Sequence, residues 1–97
     1  MIFKKGEGLK EGFLFLKHTS NRLEESRCGI IVSRKISKKA TVRNKIKRRI
    51  GAVISQKLQE IKKGRDFVFV AFPGLETDGF YEIEETVSRL LKKANLL

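Results

Sequence analysis

Ninety-seven residues with 22 Lys and Arg against 11 Asp and Glu carry a formal charge of +11, and 40% of the side chains are apolar. That length suits one small domain with a single modest core, and the apolar share excludes wholesale disorder. The one cysteine excludes an internal disulfide framework, and no apolar run approaches the roughly 18 residues a membrane span requires.

Taken in chain order, Met1-Ile2-Phe3 is expected either to pair with the core or to be the stub of a longer element. Gly12 to His18 alternates as a strand does, with Phe13, Phe15 and Lys17 on one face and Leu14, Leu16 and His18 on the other. Thr19 to Ser26 is polar and reads as a connecting loop. Cys28 to Arg34 is a second strand, β-branched at Ile30, Ile31 and Val32. Its thiol is expected to be buried packing, as free cysteines usually are. A helix is expected from Thr41, a suitable N-cap. Val42, Ile46, Ile50, Val53, Ile54, Leu58 and Ile61 make one apolar stripe along it, and Gly64 supplies a stop. Asp66 to Phe72 is a third strand, ended by Pro73-Gly74. A last helix spans roughly Asp78 to Asn95, with Phe80, Ile83, Val87, Leu90, Leu91 and Ala94 inward. Glu82, Glu84 and Glu85 near its start and Lys92 and Lys93 near its end suit the helix dipole. Three or four strands with helices packed on them make an α+β domain over residues 1–97.

The charge is not spread evenly. No Asp or Glu occurs from Ser26 to Gln59, a stretch holding 11 Lys and Arg, while the rest of the chain has 11 Lys and Arg against 11 Asp and Glu. A charge confined in this way builds a directional field suited to a polyanion. At about 100° per residue, Asn44, Lys45, Arg48 and Arg49 point away from the apolar stripe, and Arg43 and Lys47 fall on its flank. Such a row of like charges destabilises an isolated helix, and a densely negative partner relieves it. Helix-start N–H groups and the loop Ser37-Lys38-Lys39 add to the same end, and the Asn44 amide can meet sugar, base edge or phosphate. An anionic membrane fits less well, because the apolar stripe is committed to the core. No helix-turn-helix, zinc finger, zipper or RRM-type aromatic signature is present.

The pattern Val32-Ser33-Arg34-Lys35-Ile36, a short basic loop, then Val42-Arg43-Asn44-Lys45-Ile46-Lys47-Arg48 resembles the bacterial ribonuclease P protein subunit. Phe3-Lys4-Lys5-Gly6, Phe13 to Lys17, Lys63 to Val68 and Leu90 to Leu97 are similar to further segments of that family, so the resemblance spans essentially the whole chain. Two residues depart from it. Lys45 stands where the family has a second Arg and lacks the planar phosphate-gripping fork; Gly51 stands where it usually has another Arg. By the resemblance, the family's N-terminal helix, one wall of the cleft for the precursor-tRNA 5′ leader, is expected to be short or absent before Phe3. The resemblance implies a small α/β sandwich like the second domain of ribosomal protein S5, with a left-handed strand-helix-strand crossover against the usual right-handed preference.

The resemblance also implies a division of labour in which the catalytic site, and the Mg2+ it uses, lie mainly in the RNA subunit. The residues agree: one His, no paired carboxylates by the basic patch, and no phosphate-binding Gly-rich loop. No catalytic side chain and no protein-bound metal is expected. His18 is a poor general base, and Cys28 with His18 is too few ligands for zinc. Arg34, Lys35, Lys38, Lys39, Arg43, Asn44, Lys45, Lys47, Arg48 and Arg49 are expected on the ribonuclease P RNA. Phe3, Phe13, Phe15, Lys17 and Ser33 are candidates for the leader, with Phe13, Phe15 and Lys17 on one face as a stacking and charge platform. Phe13 and Phe15 are also open to core packing, and Phe67 and Phe69 carry the same ambiguity. The expected partners are the RNA subunit and precursor tRNA, with no membrane and no small-molecule substrate, in the cytoplasm. Two alternatives stay open at this point. One is a small basic ribosomal or general RNA-binding protein with no role in cleavage. The other is a stand-alone nuclease, for which Asp66, Glu76 and Asp78 are the only weak metal-ligand candidates.

Overall fold

The computed structural model describes residues 7–97, so the expectations for Met1 to Gly6, the leader assignment of Phe3 included, lie outside the described residues. Among these residues four strands, β1 (Glu7–Glu11), β2 (Leu14–Ser20), β3 (Arg27–Val32) and β4 (Arg65–Ala71), form one mixed sheet in the order β1-β2-β4-β3. Helix α1 (Ala40–Lys57) connects β3 to β4, which run parallel; helix α2 (Phe80–Lys93) follows a short 3-10 turn at Leu75–Thr77. The β1-β2 and β2-β4 pairs are antiparallel. This is the α+β class expected, with the basic helix as the crossover between parallel strands.

Directly paired residues share a sheet face, so the register sorts the side chains. Leu14, Ala71 and Val32 form one row, and Leu16, Phe69 and Ile30 the next; His18, Phe67 and Cys28 form a third on the same face. Both helices pack here. Ile46, Ile50, Val53 and Ile54 of α1 and Ile83, Val87, Leu90 and Leu91 of α2 close on Leu14, Leu16, Phe67 and Phe69 as one core. Burying each such side chain contributes about 1.5–3 kcal/mol, and Phe67 meets Phe69 edge-on at 6.0 Å, a favoured aromatic geometry. On the far face Lys10, Phe15, Val70 and Ile31 form one row and Lys17, Val68 and Gly29 the next. The core ambiguity of the aromatics is thereby resolved: Phe67 and Phe69 are fully buried beneath the helices, while Phe13 is exposed and Phe15 half-buried.

Several local expectations are corrected. The first strand begins at Leu14 because Gly12 and Phe13 turn the chain back onto β1, a partner strand not foreseen. The N-cap of α1 is Lys39, not Thr41, and no side chain caps it. Leu58 leaves the stripe and is exposed, because α1 stops at Lys57 and the chain tightens; Ile61 returns to the core, its N–H donating to the Lys57 carbonyl at 3.1 Å. Phe80 is 39% exposed rather than inward, since α2 starts there, one turn before Ile83 reaches the core. Cys28 is exposed, because β3 is an edge strand with one neighbour.

Candidate nucleic-acid interface

The loop between β3 and α1 is folded onto itself by its serines. The Ser33 N–H donates to the Ala71 carbonyl at 3.0 Å, tying the loop to β4. Ser33 Oγ accepts from the Lys35 N–H at 3.2 Å, and Ser37 Oγ from the Lys39 N–H at 3.1 Å. These are local turns that serine hydroxyls favour. Arg43 Nη1 then donates to the Ser37 carbonyl at 2.8 Å and fixes the loop against the first turn of α1. The result is a shallow basic cup lined by Arg34, Lys35, Lys38 and Arg43. A second concavity on the solvent side of the helix is lined by Thr41, Asn44, Lys47 and Arg48.

Eight of the ten residues expected to face RNA are exposed: Arg34, Lys35, Lys38, Lys39, Asn44, Lys45, Lys47 and Arg48. Arg43 and Arg49 are half-buried, so the flanking positions are these two, not Arg43 and Lys47. The buried stripe of Ile46, Ile50, Val53 and Ile54 holds the helix rigid while its other side carries the charge. The first turn of α1 contains no acid, so its free N–H groups and the positive end of the helix dipole are uncompensated. Among the described residues, the ion pairs are Arg27–Asp66, Arg89–Glu11, Arg89–Glu85 and Lys93–Glu11, and none reaches the loop or the basic half of α1. The ridge is thus exposed and not neutralised by these carboxylates.

The far face of the sheet assembles the other candidates. Phe15 and Lys17 lie on it, with Phe13 one step beyond the strand end and Ser33 beside Ala71. Gly8 of β1 makes room for the tip of the Phe15 ring: a Cβ at position 8 would come within 2.5 Å of it. The tip therefore rests over the bare backbone of the neighbouring strand. Val68 is buried in this face yet is not part of the core beneath the helices.

Asp66 and Glu11 are tied into the fold by cations and an amide of the same chain. Asp66 accepts from Arg27 Nε at 2.8 Å, from Arg27 Nη2 at 2.6 Å and from Asn21 Nδ2 at 2.8 Å. The Arg27 and Asn21 hydrogen bonds hold its carboxyl below the usual range. Lys93, hydrogen-bonded at 2.6 Å, does the same for Glu11. Although Cys28 is exposed at the sheet edge, desolvation by the atoms packed around its sulfur pushes the thiol up to about 12. His18 is buried on the helix face of β2. Among the described residues no three His, Cys, Asp or Glu side chains lie together to hold a metal, and Asp66, one of the three weak candidates, is occupied by Arg27. No helix among them is long and apolar enough to cross a membrane.

Sequence reasoning missed β1, and with it Gly8 and Lys10, because the short segment Glu7–Glu11 is polar and Gly-containing. Leu9, flanked by Gly8 and Lys10, is the one apolar residue of that segment, so it carries no alternation to read.

Comparison with known proteins places these features in a family. The family model described as Ribonuclease P matches residues 1–95. A ribonuclease P protein component of Syntrophomonas wolfei is 34% identical over 95 residues, covering 98% of this chain and 79% of the relative. One from a Thermotoga species is 36% identical over 97 residues, covering 96% and 82%. Among solved structures, the RNase P protein of Thermotoga maritima in complex with 1-(4-fluorophenyl)-2-thiourea superposes with a TM-score of 0.86 at 34% identity, covering 95% of this chain and 89% of that one. A Staphylococcus aureus RNase P protein mutant with defective mRNA degradation activity gives 0.89 at 26% identity, covering 97% and 79%.

Proposed function

The chain belongs to the bacterial ribonuclease P protein family, whose members serve tRNA 5′ processing beside an RNA subunit, and on that premise we propose which of its surfaces meets which RNA. The basic ridge binds the ribonuclease P RNA. Arg34, Lys35, Lys38, Lys39, Arg43, Lys45, Lys47, Arg48 and Arg49 take phosphates, and Asn44 takes a sugar or base edge at the centre of the patch. The observation that carries this reading is the exposed ridge left unpaired by the carboxylates of the described residues. A solvated surface of this size would ordinarily intersperse acids. Here the repulsion between neighbouring cations is relieved by the phosphates of a bound polyanion, whose condensed counterions are released.

The far face of the sheet takes the single-stranded 5′ leader of precursor tRNA. Phe15, its ring tip reaching over Gly8, offers a ring to an unpaired base; Lys17 stands beside it for a phosphate, with Phe13 and Ser33 at the sheet end. The protein contributes binding and orientation. Hydrolysis and the Mg2+ ions belong to the RNA in this reading. The protein works in the cytoplasm, where its RNA partners are made.

The test is reconstitution with the cognate RNA subunit. Affinity for that RNA, titrated across salt concentrations, should fall with a steep log–log slope, and each of Arg43→Ala and Arg48→Ala should reduce the slope by about 0.9, one phosphate's share. The protein should also lower the Mg2+ needed for cleavage of precursor tRNA more than for a substrate without a leader. Slopes that do not move, or an equal benefit for leaderless substrate, would refute the respective assignment.

A further inference from the structure

At the end of the sheet where β2 begins and β4 finishes, two more aromatic rings stand partly open. Phe13 is 43% and Phe72 39% exposed. They lie one step beyond the Leu14–Ala71 pair, and the Phe72 N–H donates to the Phe13 carbonyl at 2.9 Å. Strand alternation puts both on the far face, with Phe15 and Val70. The seat of Phe13 is pre-formed: Gly74 has φ +113°, and a Cβ there would meet the Phe13 ring at 2.5 Å. Lys10, on the same face, holds its ammonium 5.7 Å from the centre of the Phe72 ring.

The charges around these rings select the occupant. The basic loop starts at Ser33, bonded to Ala71 immediately before Phe72. The nearby carboxylates are engaged. Glu76 accepts the Gly74 N–H with both oxygens at 3.0 Å, and Glu11 faces Lys93 at 2.6 Å and Arg89 at 3.7 Å. An apolar protein knob would use the rings and leave the cations idle. A nucleotide uses both, a flat base on the ring and a phosphate on the ammonium.

We propose that Phe72, walled by Phe13 and guarded by Lys10, is a second stacking site for one unpaired base of the leader strand. This rests on the assignment of the far face to the leader and extends it past Phe15. Diagonal neighbours across a sheet lie about 7–8 Å apart, so one short stretch of strand reaches both rings. An ammonium over an exposed ring is held more weakly than a stacked base. Lys10 therefore yields the ring face to the base and turns to its phosphate.

The experiment places 2-aminopurine singly along the leader of precursor tRNA bound to the reconstituted holoenzyme. Quenching is expected at two separate leader positions. Phe15→Ala should relieve one, and Phe72→Ala the other with about a fivefold or greater loss of leader affinity. Phe72→Leu, which keeps the apolar packing and removes the ring, should do the same, and it decides the matter if Phe72→Ala also weakens RNA-subunit binding through misfolding. Quenching that responds to Phe15→Ala but to neither Phe72 variant overturns the second site and leaves the leader assignment standing. Quenching that responds to none of the three overturns both.

Discussion

Two sets of cations in this molecule are treated in opposite ways. Arg27, Arg89 and Lys93 each face a carboxylate of the same chain, and Arg27 does so through two hydrogen bonds to the buried Asp66. The cations of α1 and its leading loop face none among the described residues. The first set closes the structure: Arg27, Asp66 and Asn21 clasp the loop after β2 to the start of β4. The second set leaves its electrostatic energy unspent until a partner arrives. A cation's role is therefore read from whether the fold supplies its counter-charge, not from its residue type.

The largest expected effect breaks the second set. Arg43→Ala and Arg48→Ala should each weaken binding to the ribonuclease P RNA about tenfold or more, the value of one charge-assisted hydrogen bond of roughly 1.5–3 kcal/mol. Filter binding at several salt concentrations reads both the loss and the shallower slope. The two differ in the fold: Arg48 is exposed, so Arg48→Ala should leave thermal stability within about 0.5 kcal/mol. Arg43→Ala also loses its bond to the Ser37 carbonyl and should loosen the loop.

Breaking the first set should give the reverse pattern. Asp66→Asn should destabilise the fold by about 1–3 kcal/mol, since it weakens three hydrogen bonds to one buried carboxylate. RNA affinity of the folded protein and its salt slope should not change. Denaturant unfolding beside RNA titration separates the two. Acid should act the same way. The Asp66 carboxyl is held below its ordinary range by Arg27, so its stabilisation is complete above the unfolded-state value and is lost as pH falls through the lower folded one. Melting curves taken down the acid range should show a loss in the parent that is smaller in Asp66→Asn.

The smallest effect sharpens the contrast from the stability side. Gly51 lies inside α1, and a Cβ there would touch Ile30 Cδ1 at an ordinary 3.6 Å. Gly51→Ala should stabilise the protein by about 0.5–1 kcal/mol through helix propensity without altering RNA affinity.

Much of this arrangement was legible in the residues. The apolar spacing of Ile46, Ile50, Val53 and Ile54 fixed the inward side of α1, and the absence of acids from Ser26 to Gln59 marked the ridge. Strand alternation sorted Phe13, Phe15 and Lys17 from Leu14 and Leu16, but alternation alone cannot say which side meets the helices. That choice depends on which strands are neighbours, and so on β1, whose polar Glu7–Glu11 gives little hydrophobic signal. The exposure of Cys28 was hidden for the same reason, because an apolar run does not reveal that its strand is an edge. The start of α1 was misplaced because Thr41 is a good capping type, whereas the chain begins its turn under the Ser37 and Arg43 contacts. The Arg27–Asp66 clasp joins residues far apart in sequence and left no local trace.

The hydrogen bond from Ser33 to Ala71 has a further consequence. It pins the root of the loop that would hold one RNA to the strand whose next side chain would touch the other. Both nucleic acids would then be measured from a common origin, as two scales engraved on one rule. Slack introduced at that joint, for example by a proline that removes the Ser33 N–H, should blur where along the transcript the cut falls while leaving each grip intact.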